Sequence, residues 1–182
     1  MKSNVVVSAR PGAGEYAPYY EKYVSLILDD DILAVLERPS QSIAGFLSTT
    51  CTEADGNFRY APGKWSVKEV LGHVIDTERV FSYRALRIAR NDRTPMEGFE
   101  QDDYVKYGQF SQCSLAALVE EFRSVRLATL SLFRGLDEAA WVRLGVANKN
   151  EVSVRGIAYI IAGHEPHHKK ILQEKYFAQA GA

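Results

Sequence analysis

The sequence predicts an all-α fold, a four-helix bundle. Three observations carry that reading. Apolar residues recur at helical spacing in four long segments, residues suited to helix caps open several of them, and nothing alternates at period two over a useful length. The chain has 182 residues, 46% hydrophobic and 25% charged, with a formal net charge of −1. This is the usage of a folded domain that buries about 70% of its unfolded surface and needs no staples. Near-neutral charge gives no strong drive towards nucleic acid or an anionic membrane. Cys51 and Cys113 lie far apart, which excludes a disulfide scaffold and a thiolate zinc site. The opening apolar run is three valines, too short for a signal peptide, and no stretch has the length of a membrane span, so a cytoplasmic location is expected.

The elements follow in order. Residues 1–15 read as an extended arm broken by Pro11, Gly12 and Gly14. Tyr16, Tyr19, Tyr20 and Tyr23 repeat at helical spacing, which predicts a short helix near 17–28 packing its tyrosines on the body of the domain or a partner subunit rather than forming a ligand box. The arm and this helix make up residues 1–28, and residues 29–182 form the single bundle domain. The first bundle helix opens on Asp29, Asp30 and Asp31 and carries Ile32, Leu33, Leu36, Ile43, Phe46 and Leu47 on one stripe, with a kink or break expected at Pro39. Ser66 and Glu69 form a capping-box pattern that starts a helix reaching to about Ala89. Residues 91–113 read as a long connection whose Phe99, Tyr104, Tyr107 and Phe110 pack over something. Ser114 and Gly135 bracket the clearest helix, with Leu115, Leu118, Phe122, Val125, Thr129 and Leu132 on one face. A short turn near Asp137–Trp141 and a loop or small hairpin over 142–152 lead to a last helix near 154–177, capped by Ser153.

The four histidines carry the chemistry. His164 and His168 stand at i and i+4, about 40° apart around a helix, so both imidazoles reach one point. His73 stands on another helix. Three neutral imidazoles from two helices form a site that leaves coordination positions open, with donors suited to Zn, Ni or Fe. His167 pairs with His164 equally well at i+3, and spacing alone does not choose between His167 and His168. Gly72 precedes His73 and Gly163 precedes His164, which predicts close helix approach near the site.

Residues 164–168 also spell HExxH, the zinc-protease signature in which the glutamate is the general base. Pro166 falls inside it, Ile171 and Glu174 stand where the extended form needs Gly and His, and little chain follows His168, so the protease reading is set aside. Asp76 lies one turn on from His73, within reach of the site as a base. With Arg79 and Arg84 nearby, surface pairing is the expected role of both Asp76 and Glu78. Glu165 points about 100° away from His164 and is a poor base. Arg84, Arg87, Arg90 and Arg93 form a basic row that drifts around its helix, so it is expected to meet acids or solvent rather than nucleic acid.

Gly63–Arg79, with His73, resembles the first metal-ligand helix of the DinB/YfiT-like superfamily, and Ser153–His168 resembles its last helix with the HxxxH pair. The likeness runs from about Asp30 to Tyr176. It implies an up-down-down-up four-helix bundle, often a homodimer, holding a divalent metal ion (Zn, Ni, Fe or Mn) on His73, His164 and His168, with His167 left to the surface. It further implies a metal-dependent enzyme acting on a small molecule, a hydrolase or a thiol S-transferase with a low-molecular-weight thiol as cofactor, with no catalytic residue assigned; related members include S-transferases that use bacillithiol and isomerases that use mycothiol. The other class is a non-catalytic bundle in which metal or ligand serves structure or sensing. Pro166 departs from the pattern. Its ring clashes with the Ala162 carbonyl, which predicts a kink that shifts His168 relative to His164.

Overall fold

The computed structural model describes residues 9–38 and 42–178. A 3-10 turn, Pro18–Tyr20, leads into α1 (Glu21–Val24), followed by α2 (Ile32–Glu37), α3 (Ile43–Thr50), α4 (Val67–Ala89), α5 (Gln101–Tyr107), α6 (Leu115–Arg134) and α7 (Glu138–Trp141). An antiparallel hairpin, β1 (Leu144–Ala147) and β2 (Asn150–Ser153), precedes α8 (Val154–Ile171), which a π-helical turn extends over Leu172–Tyr176. The bundle is built from α4, α6, α8 and the α2–α3 pair, with α4 packed against both α6 and α8.

The capping residues explain most of the boundaries. Asp31, Ser42, Ser66, Ser114, Asp137 and Ser153 each accept a hydrogen bond from the backbone N–H three residues on, an arrangement worth about 1 kcal/mol apiece. At α4 the capping box is complete: Ser66 Oγ accepts from Glu69 N at 3.3 Å, and Glu69 Oε2 accepts from Ser66 N at 2.7 Å.

Two expectations change and two open alternatives are decided. The first bundle position holds two short helices, the break rather than the kink. Arg38 closes α2 in an extended conformation, as a residue before proline does, and Pro39 itself lies outside the described residues. The tyrosine helix ends at Val24, not near 28. The 91–113 connection is structured: it contains α5 and a 3-10 turn at Phe110–Gln112, and Met96 hydrogen-bonds to both Val146 and Asn148 of the hairpin. Residues 142–152 include a true hairpin, turned by Asn148 and Lys149 with φ of 49° and 64°. The N-terminal arm is tied down where it is described. Glu15 accepts from Ser153 Oγ at 2.7 Å and pairs with Arg155 at 2.5 Å.

The core of the described residues has two clusters. One gathers Ile32, Leu36, Phe81, Ile88, Phe133, Trp141 and Tyr159, and the other Ile43, Leu47, Leu71, Ile75, Leu118, Phe122 and Leu172. Helix α8 is buried without interruption from Gly156 to Glu165, because α1, α2, α3 and α4 all pack on it. A helix enclosed on every side needs no polar face, and here it carries the site into the interior.

Within α6, Thr129 is 1% exposed and its Oγ1 has no hydrogen-bond partner among the described residues. Replacing it with valine keeps the shape and removes a buried unsatisfied hydroxyl. Thr129→Val is expected to stabilise the fold by about 1 kcal/mol, read as a higher urea midpoint with an unchanged slope.

The two glycines that precede histidines do mark close approaches, though not of α4 to α8. A Cβ on Gly72 would sit 2.5 Å from the Phe110 ring, and one on Gly163 would sit 2.0 Å from the Tyr23 carbonyl oxygen. The Phe110 ring, buried and wedged between Gly72 and Gly108, has little room to give, and the backbone of α1 cannot shift without leaving α8. Alanine gains about 1 kcal/mol over glycine in a helix interior, against about 1–3 kcal/mol for overpacking. Both substitutions are therefore expected to destabilise in matched denaturant titrations, Gly163→Ala the more, because it meets backbone at 2.0 Å.

Candidate metal centre

Helix α4 brings His73 to the site and α8 brings His164 and His168. The Nε2 of His164 lies 3.1 Å from that of His73 and 3.0 Å from that of His168, and one ligand atom from each residue lies within 4.8 Å of the others. An ion bound at about 2.1 Å with ligand angles between octahedral and tetrahedral sets its nitrogens about 3.0–3.4 Å apart. The donor set fits a divalent ion, and the two separations from His164 match this spacing. The helix runs on through Pro166 to Ile171 with the His164–His168 pair still convergent, so the expected displacement of His168 does not occur.

The surroundings keep the imidazoles neutral, which is the ligand form. Burial pushes the His73 pKa down to about 4. Burial, reinforced by His73, brings His168 down to about 2. His164 falls well below its ordinary value through burial and then through His168 and His73. A neutral His73 that presents its Nε2 lone pair carries its proton on Nδ1, where Thr77 Oγ1 lies 3.4 Å away to accept it. Thr77 stands one turn on from His73 and is buried beside it. The i+4 spacing was the available sequence signal for this orienting role. The Trp65 ring covers His73 at 4.8 Å, and Tyr23 meets His164 edge-on at 5.1 Å.

His167 stays out of the cluster. It is half-buried, packed at 5.1 Å against Tyr23 rather than standing free at the surface.

Among the described residues, cavities border the histidines on two sides. One of about 310 Å³ is lined by His73, His164, Thr77, Tyr20, Tyr23, Phe81, Arg84 and Phe99, with Asn148 and Asn150 from the hairpin. Another of about 380 Å³ is lined by His168, Trp65, Tyr60, Asp102 and Tyr176. The tyrosine stripe thus packs on the bundle and also walls the first cavity. Tyr16 and Tyr23 are buried, while Tyr19 stays 62% exposed.

The neighbouring acids are committed elsewhere. Asp76 pairs with Arg79 at 3.3 Å, and Arg79 reaches Glu121 on α6 at 2.7 Å, so Asp76 serves the surface as expected. Glu78 does not. It is 3% exposed and bound by both oxygens to Arg126, each at 2.9 Å. Glu165 accepts from Arg126 Nη2 at 2.8 Å and from Ile43 N at 2.7 Å. A glutamate held this way is no general base, which removes the HExxH chemistry. The basic row also dissolves: Arg84 is buried, and Arg87 pairs with Asp92 at 2.5 Å.

Fold and site together define a helical bundle with a buried three-histidine cluster at the head of a cavity. The chain belongs to the DinB superfamily, whose family model matches residues 41–172. Its structure is similar to that of YfiT from Bacillus subtilis, described as a probable metal-dependent hydrolase with an unusual four-helix bundle topology. The TM-score is 0.69 over 96% of this chain and 95% of that one, at 13% identity. That likeness establishes the fold. No curated protein matches the sequence. No helix among the described residues is long and apolar enough to cross a membrane.

Proposed function

We propose that the chain binds one divalent metal ion on His73, His164 and His168 and uses it as an enzyme on a small molecule, by hydrolysis or by thiol S-transfer. The observation that carries this reading is the convergence of three buried, neutral Nε2 donors at a cavity wall. The description of YfiT as a probable metal-dependent hydrolase supports it. A divalent ion held there supplies Lewis acidity, enough to bring a bound water or thiol into its ionised form near neutral pH.

The protein's own groups set the rest. Thr77 fixes the His73 ring, Trp65 and Tyr23 pack their rings against His73 and His164, and the cavity admits the substrate. Glu78, Glu165 and Asp76 are all held by arginines. This favours a nucleophile activated by the ion itself over one that needs a buried carboxylate base.

The test compares metal-loaded with chelator-stripped protein on two panels, simple esters and amides, and electrophiles offered with a low-molecular-weight thiol. Turnover that chelation abolishes, the ion restores and His164→Ala lacks is the expected result. Stoichiometric metal with no turnover on either panel would move the protein to a binding or sensing role.

A further inference from the structure

We propose that Arg84 is the anion-recognition residue of the cavity beside the histidines, and that the substrate is an elongated molecule carrying a carboxylate or phosphate at the end remote from the reacting group. This rests on reading that cavity as the substrate site.

Arg84 is 3% exposed and lines the same cavity as His73 and His164. Its guanidinium donates to the Glu97 carbonyl oxygen at 2.8 Å and has the Tyr20 hydroxyl as a polar neighbour. It lies 5.2 Å from the Phe81 ring centroid and 5.8 Å from that of Phe99. Among the described residues no carboxylate pairs with it. Glu100 lines the cavity too, but it is exposed and forms no ion pair with Arg84. The contrast with the equally buried Arg126, which holds two carboxylates, is direct. A guanidinium has five N–H donors and stays charged, so one buried without a counter-ion is costly until an anion arrives.

The geometry sets the length of that anion's carrier. Arg84 is eleven residues after His73 on α4, which returns it to the same face within about 20°. Thr77 and Phe81 lie between them on that face. The side chain leans back to the level of Phe81, as helical side chains do, which leaves about 12 Å along the axis between the histidine cluster and the charge at 1.5 Å per residue. Phe81, Tyr20 and Ile160 line the cavity between these ends, a surface for an apolar body.

The experiment uses the full chain, metal-free and zinc-loaded. Aryl-alkanoates with chains of two to six methylenes are titrated by calorimetry, each matched to its uncharged primary amide. The expected result is at least a tenfold preference for the carboxylate over its amide in one or more pairs. Arg84→Met should abolish that preference, Arg84→Lys should keep part of it, and the metal-free protein should keep it. Arg84→Gln stands in if the methionine variant does not fold. No preference in any pair, or an Arg84 variant that weakens carboxylate and amide equally, overturns the proposal. Zinc content is measured separately, so an absent metal with an intact Arg84-dependent preference would refute only the metal reading.

Discussion

Untagged protein is expected to carry close to one divalent ion per chain, and His73→Ala essentially none. A buried nitrogen triad offers no partial substitute, because the two histidines left on α8 lack the third direction that α4 supplies. Elemental analysis of wild type beside each single alanine variant reads this directly, and a wild type that stays empty after exposure to Zn, Ni, Fe and Mn would sink the idea. The same histidines set a pH dependence for the metal-free chain. Their folded pKa values lie below the ordinary 6.5, with His73 at about 4 and His168 at about 2, in each case chiefly through burial. The unfolded chain then binds more protons in the interval between. This contribution to stability is complete above about pH 6.5 and fades as the pH falls through the folded values. Melting temperatures of metal-free wild type should fall between pH 7 and pH 4 more steeply than those of a variant with all three histidines replaced by alanine.

The histidine positions were legible because helical periodicity is a local rule. Residues at i and i+4 share a face wherever the helix goes, and Ser66 and Ser153 fixed where the two helices start. The choice of His168 over His167 was not local. The spacing allowed both, and the resemblance chose as the geometry does. The glycines at 72 and 163 were legible as close approaches, but their partners, Phe110 and the α1 backbone at Tyr23, were not, because a local pattern does not say which distant segment packs against it. The same limit hid α5, since the seven residues of Gln101–Tyr107 bury only Val105 and leave almost no stripe to detect. Thr77 and Arg84 lay on the His73 face of α4 and were open to the same periodic reading. What could not be read there was that a cavity runs along that face.

The least legible feature should produce the largest stability loss. Glu78, Arg126 and Glu165 come from α4, α6 and α8, with Arg126 lying 48 and 39 residues from its partners. All three look like solvent-face charges in sequence, yet each is less than 10% exposed. Arg126 also donates to the Leu36 carbonyl at 3.2 Å, and Glu165 takes the Ile43 N–H, so the brace ties the α2–α3 pair to the other three helices. Burial opposes the arginine's charge, but the two carboxylates outweigh it and hold the guanidinium protonated. Arg126→Met leaves two carboxylates buried without a cation and is expected to cost about 3–5 kcal/mol. Glu78→Gln keeps one pair intact and should cost less. Adding Glu78→Gln and Glu165→Gln to Arg126→Met removes both stranded charges and should recover much of the loss. A double or triple variant no more stable than Arg126→Met alone would show that the arginine acts by packing over Phe122, 5.0 Å from its Cζ, rather than by its charge. Because Glu165 adjoins His164 on α8, the same variants report on the site. If the brace positions α8, metal affinity should drop with Arg126→Met and return with the neutralised triple variant, in step with the urea midpoint.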